Sequence, residues 1–108
     1  ETTFKKALQA KLKIVYGTDI GGMPWTVPMA IEFKRMVGLG MAPMAAIQSA
    51  TSKAAEMLDM PGEIGVIAPG AYADVIAVPA DPLQDIAALD HVTFVMHDGS
   101  VFKNEASR

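Results

Sequence analysis

Cysteine is absent, which removes disulfides, thiolate chemistry and Cys-ligated zinc and leaves the redox compartment open. Long apolar runs are missing too. Lys, Asp, Gly and Pro interrupt the apolar residues, so no stretch approaches the roughly 20 residues needed to span a bilayer. A membrane protein is not expected, and a cytoplasmic location is the default expectation. Positive charge is sparse: Lys and Arg number 9 against 12 Asp and Glu, for a net charge of −3. The basic residues Lys5, Lys6, Lys11, Lys13, Lys34 and Arg35 are scattered without interleaved aromatics. Nucleic-acid binding therefore has no electrostatic footprint. Histidine is limited to His91 and His97.

What is abundant is apolar character. Hydrophobic residues make up 51% of 108 residues, and mean hydropathy is +0.27. Small domains have relatively much surface to cover with polar groups, so the excess suggests apolar surface intended for a partner. The chain begins at Glu1 rather than Met, and its first residues suit a helix start better than a signal peptide.

Thr2 and Thr3 are placed to cap a helix with Phe4, Ala7, Leu8 and Leu12 on one face and lysines opposite. Ile14, Val15 and Tyr16 form a brief apolar run that stops at Gly17, a pattern suited to a buried parallel strand. Gly21, Gly22, Pro24 and Pro28 then punctuate a loop. Met29, Phe33, Met36 and Val37 recur at helical spacing up to Gly38 and Gly40. Pro43 suits the first turn of a second helix, whose buried stripe is expected at Ile47, Ala50, Ala54 and Leu58. Ala42 is a poor N-cap for it.

After Pro61 the pattern changes to short segments at Ile64 to Ile67, Asp74 to Val78, Thr93 to His97 and Ser100 to Lys103. Asp98-Gly99 is a two-residue turn of the kind that closes a β-hairpin. The last third therefore reads as antiparallel β, with a junction near Met60 to Gly62.

Gly17, Thr18 and Asp19 stand where the apolar run gives way to the Gly-rich loop. In parallel α/β folds functional side chains emerge at the C-terminal ends of strands, which makes Asp19 the leading candidate for chemistry. A carboxylate there could bind a metal or move protons to and from water and a leaving group. From the pattern alone, the simpler alternative is an Asp that organises its own turn.

The segments YGTDIGG, AIEFKRMVGLGMAPMAAIQSATSKAAEMLDM, IGVIAPGAYADVIAVPADPLQDIAAL and VTFVMHDGSVFKN, in that order, resemble the C-terminal quarter of the amidohydrolase superfamily. The similarity is greatest to the imidazolonepropionase-like branch that includes Xaa-Pro dipeptidase-type metal-dependent hydrolases. It covers nearly the whole chain and rests on the ordered series rather than on GTD alone. The resemblance implies an α/β fold: the last strand and helices of a distorted (β/α)8 TIM barrel over residues 1–60, followed by strands of a small composite β-sandwich over 61–108.

Asp19 matches the family's catalytic Asp. The resemblance implies that it lies on a centre of one or two divalent metal ions, with zinc expected. There it takes a proton from the hydrolytic water and returns one to the departing nitrogen. Trp25, in the loop after Asp19, is a candidate for lining the substrate pocket, or equally an aromatic lid without specificity. The family's His-x-His, its mid-barrel Lys or Glu and its two further His are not in this sequence, so the chain alone is expected to be inactive. The implied partners are a small amide or dipeptide substrate and a missing N-terminal barrel part, with a homo-oligomer expected. A reading from another class keeps the same fold as a non-catalytic oligomerising or binding module.

Other residues carry blander expectations. His91 and His97, if on one strand, would stand roughly 20 Å apart, too far for one metal. Asp81, Asp85 and Asp90 read as a solvated face or as helix caps, and Asp74 as a structural carboxylate. Thr18 is placed either to orient Asp19 or to pair with a neighbouring strand. Ser49, Thr51 and Ser52 have no base nearby in sequence to activate them.

Overall fold

The computed structural model describes residues 1–22, 24 and 26–105. Helices α1 (Thr2–Gln9), α2 (Ile31–Gly38), α3 (Pro43–Ala50) and α4 (Ser52–Met57) precede strands β1 (Val75–Ala77), β2 (Phe94–His97) and β3 (Ser100–Asn104). A 3-10 turn at Ile86–Asp90 lies between β1 and β2.

Three of the helices end in the same way. Leu12 N–H donates to Ala7 O and Lys11 N–H to Leu8 O; Met41 and Gly40 repeat this with Met36 and Val37, and Met60 and Asp59 with Ala55 and Glu56. The pivots Lys11, Gly40 and Asp59 all have positive φ. This paired pattern satisfies carbonyls that the last helical turn leaves free. At α2 it also brings Met36 and Met41 together in the core, with Ala46 beside them and Phe4, Leu8, Ile14, Tyr16 and Phe33 packed around.

The helix boundaries correct three sequence expectations. The Lys11 pivot ends α1 before Leu12, which leaves the helical stripe and is 62% exposed. Thr2 and Thr3 lie inside the first turn, after the N-cap position at Glu1, and so cannot cap it. The expected helix around Pro43 begins there, but it breaks in two at Thr51 (φ −126°, ψ −101°). Thr51 Oγ1 donates back to Ile47 O at 2.9 Å. The break rotates the buried positions to Ala46, Ser49 and Ala55 and leaves Leu58 exposed.

No strand forms over Ile14–Tyr16 or Ile64–Ile67 among the described residues. The first has no neighbouring strand to pair with, and the second makes only a single bridge, Pro61 to Ile64. The architecture is thus a small α/β arrangement with an antiparallel sheet of order β1-β2-β3.

The hairpin forms as expected. Asp98 and Gly99 both have positive φ (47° and 75°), the requirement of a type I′ turn. The register shift between Val95 and Met96 leaves Phe102 without an opposite residue on β2, as in a β-bulge. The Asp74 carboxylate pins the turn from outside, accepting the Asp98 N–H at 2.8 Å and lying 2.8 Å from His97 Nδ1. The Asp98 amide and then His97 hold this carboxyl below its ordinary range.

A depressed carboxylate pKa stabilises the folded form above the unfolded value, about 4, and the contribution disappears as pH falls through the folded value. The protection factor of the Asp98 amide, its rate relative to the unstructured rate at the same pH, should therefore fall below about pH 4, as NMR would show. Asp74→Ala should show low protection at every pH, and equal protection in the two proteins at neutral pH would refute the pinning role.

Candidate functional site

Tyr16 is the anchor from which the candidate site is built. Its N–H donates to Ser49 O at 2.9 Å, its phenol donates to the Met29 carbonyl, and its ring stacks on Phe33 at 4.4 Å between centroids. Burial, with the Glu32 carboxylate adding to it, pushes the phenol above its ordinary pKa. Ser49, itself buried, donates its hydroxyl to Ala46 O, while its backbone carbonyl accepts the Tyr16 N–H. The segment is thereby tied to both α2 and α3 although no sheet holds it. Sequence reasoning gave Tyr16 no role beyond the strand; an aromatic directly before the Gly-Thr-Asp turn was the available signal.

Gly17, Thr18 and Asp19 follow immediately. Asp19 is exposed and has φ 44°, in the left-handed region that Asp tolerates better than most residues. The other non-Gly residues with positive φ have evident structural work: Lys11 and Asp59 terminate helices, and Asp98 closes the hairpin. At Asp19 the backbone makes a tight turn in which Gly21 N–H donates to Asp19 O at 2.8 Å. Among the described residues its carboxylate accepts no hydrogen bond, and Thr18 does not reach it. The simpler alternative, an Asx turn made by this side chain, is therefore not formed.

The remaining candidates disperse. Trp25 lies outside the described residues. His91 follows the 3-10 turn and His97 ends β2, so the two do not share a strand. Asp85 caps the 3-10 turn by accepting the Ala87 N–H, and Asp81 accepts the Leu83 N–H. Asp90 pairs with Lys34 and joins the 3-10 turn to α2, while its Oδ1 is buried without a partner among the described residues. Among the described residues no three His, Asp or Glu side chains converge as a metal site would require.

Among the described residues two large cavities stand out, and Asp19 lines neither. One, of about 800 Å3, separates the helical layer from the sheet, with Tyr16, Phe33 and Ile47 on one side and Ile76, Val92 and Lys103 on the other. The second, of about 750 Å3, borders α1, Ile14–Val15, α3 and α4. Asp19 is instead a carboxylate on a clamped loop that finds no partner among the described residues, a group of the kind that binds a cation or accepts a proton. No helix among the described residues is long and apolar enough to cross a membrane.

Comparison with known proteins gives this arrangement a context. The sequence profile described as "Amidohydrolase family" matches residues 2–102. Ochratoxinase of Aspergillus niger is 35% identical over 107 residues, covering 93% of this chain and 21% of the ochratoxinase. A crystal structure of a Xaa-Pro dipeptidase with methionine bound in the active site superposes with TM-score 0.89 at 40% identity, over 95% of this chain and 25% of the dipeptidase. A prolidase complexed with N-methylphosphonate-L-proline gives TM-score 0.84 at 31% identity, over 95% and 26%. The chain thus spans between about a fifth and a quarter of the length of these relatives.

Proposed function

The chain belongs to the amidohydrolase family, and from that premise we propose that it is the C-terminal segment of a metal-dependent hydrolase of C–N bonds in which Asp19 is the catalytic carboxylate. In this reading residues 1–60 close a (β/α)8 barrel and residues 61–108 contribute to a β-sandwich. The observation that carries it is the free, exposed carboxylate of Asp19 on a clamped loop, in a chain that superposes on a dipeptidase and a prolidase.

The Asp19 carboxylate takes a proton from the hydrolytic water as that water adds to the amide carbon. It then delivers the proton to the departing nitrogen. One residue serves both steps because its two protonation states alternate through the cycle. Its left-handed turn and the Tyr16 clamp position the backbone that carries it, and the unpartnered side chain is ordered when substrate arrives.

A divalent ion, with zinc expected, would polarise the carbonyl and acidify the bound water. Asp19 fits such an ion as one oxygen ligand. A catalytic zinc takes about three protein ligands, so the others are assigned to the polypeptide outside this chain. Trp25 is proposed to line the substrate pocket, and the substrate to be a small amide or a dipeptide.

The test is a hybrid in which this chain replaces the matching quarter of the Xaa-Pro dipeptidase, assayed beside the isolated chain with Xaa-Pro dipeptides. The hybrid should turn over substrate and the isolated chain should not. Turnover by the isolated chain, or a folded hybrid without turnover, would sink the reading.

A further inference from the structure

The loop over residues 17–27 carries Asp19 with little of its own to hold its direction. Gly17 and Gly21 stand on either side of Asp19, and a Cβ at either would meet nothing beyond its chain neighbours within 4 Å, so no packed side chain braces the turn. Within the loop the described residues make two backbone hydrogen bonds, Gly21 N–H to Asp19 O at 2.8 Å and Val27 N–H to Pro24 O at 3.0 Å. Both are local turns that tie the loop to nothing outside it. Where the chain returns, Pro28, Met29 and Ala30 border the cavity of about 800 Å3 between helices and sheet, so no packed layer stands behind them on that side.

One side chain joins the two ends of this loop, as in the compact surface loops that often carry function. Tyr16 precedes the loop and Met29 follows it, and the Tyr16 phenol donates to the Met29 carbonyl across 13 positions. The three contacts of Tyr16 have separate targets. Its N–H holds α3 through Ser49 O, its ring holds α2 through Phe33, and the hydroxyl alone reaches the returning end of the loop. Phenylalanine at position 16 would keep the first two contacts, so only the tie to Met29 requires the hydroxyl. Burial and then the Glu32 carboxylate keep the phenol above its ordinary pKa, so it remains a donor at neutral pH.

We propose that Tyr16 is a positioning residue for Asp19, acting through its hydroxyl: by closing the loop on Met29 it sets the direction in which the Asp19 turn faces, and it thereby governs the proton transfers rather than substrate binding. The proposal rests on the reading of Asp19 as the catalytic carboxylate. Asp19 lies three residues beyond the anchored Tyr16, so a loop whose far end is released swings about that anchor and carries the carboxylate with it. A misplacement of about 1 Å can cost on the order of a hundredfold in rate.

Tyr16→Phe is the test, made both in the dipeptidase hybrid and in the chain itself. In the hybrid kcat should fall by roughly tenfold to a hundredfold, while KM changes by less than about twofold. In the chain the backbone order parameter of Asp19, from NMR relaxation, should fall from the rigid range near about 0.85 towards the flexible range below about 0.6. Gly70→Ala, a destabilising change outside the loop, should leave both kcat and the order parameter as they are. An unchanged kcat overturns the proposal, as does an unchanged order parameter at Asp19. A loss of kcat that Gly70→Ala reproduces also overturns it, by reducing the hydroxyl to a source of general stability. A rise in KM at constant kcat overturns it by making the hydroxyl part of substrate binding. The order parameter needs no turnover, so the two readings fail separately. A hybrid inactive with Tyr16 intact counts against the hydrolase reading, and the tie to Met29 then stands or falls on Asp19 order alone; an active hybrid indifferent to Tyr16→Phe counts against the positioning role alone.

Discussion

Asp19→Asn in the hybrid enzyme should lower kcat/KM by roughly 10²–10⁴, the range contributed by a positioned general acid–base group. That corresponds to about 3–5 kcal/mol of transition-state stabilisation. The amide has nearly the shape of the carboxylate, and Asn tolerates the left-handed backbone at this position as well as Asp does. The Gly21 to Asp19 backbone bond and the Tyr16 clamp involve no atom of the side chain. With metal removed by chelation, melting temperature and amide exchange should therefore stay as they are, while turnover of the metal-loaded hybrid falls, which separates a chemical role from a structural one. Activity within tenfold of the unmodified hybrid would remove Asp19 from catalysis. A loss of activity accompanied by an equal loss of stability would return it to the turn-forming role.

How far such features are visible in the sequence depends on whether local or distant contacts fix them. Helix α2 and the start of α3 were legible because apolar spacing, Pro43 and the pivot Gly40 act within a few residues. The hairpin was legible because Asp98-Gly99 needs no neighbour to turn. Ile14–Tyr16 reads as a strand by composition, yet a strand exists only with partners, and none is present among the described residues. The early end of α1 was hidden because Lys11 occupies the left-handed position usually held by Gly. Asp81 and Asp85 act as the local turn makers their sequence suggests, whereas the tie between Asp90 and Lys34 spans 56 positions and leaves no local trace. Asp19 could be placed at the end of its segment from sequence. The absence of hydrogen-bond partners for its carboxylate among the described residues could not be seen there.

The chain at Gly65 passes close to the break between α3 and α4, and this approach yields the largest expected effect on stability. Gly65 has φ 70°, and a Cβ added there would lie 2.5 Å from both the carbonyl carbon and the oxygen of Thr51, and 3.0 Å from Ser52 N. These are backbone atoms at the kink itself, so no side-chain rotation relieves the contact. Gly65→Ala combines about 1–2 kcal/mol for a left-handed L-residue with about 1–3 kcal/mol for forced displacement of a packed neighbour. A total of about 2–5 kcal/mol is a large share of the roughly 5–15 kcal/mol that holds a typical domain folded. Gly70→Ala is the natural control, because Gly70 also has positive φ (89°) but nothing lies within 4 Å of its added Cβ. It should cost only the backbone share, about 1–2 kcal/mol. Urea denaturation of both variants beside the unmodified hybrid measures the difference. Equal losses in the two would mean that Gly65 is needed for its φ alone, and that the close approach to Thr51 does not set the break between α3 and α4.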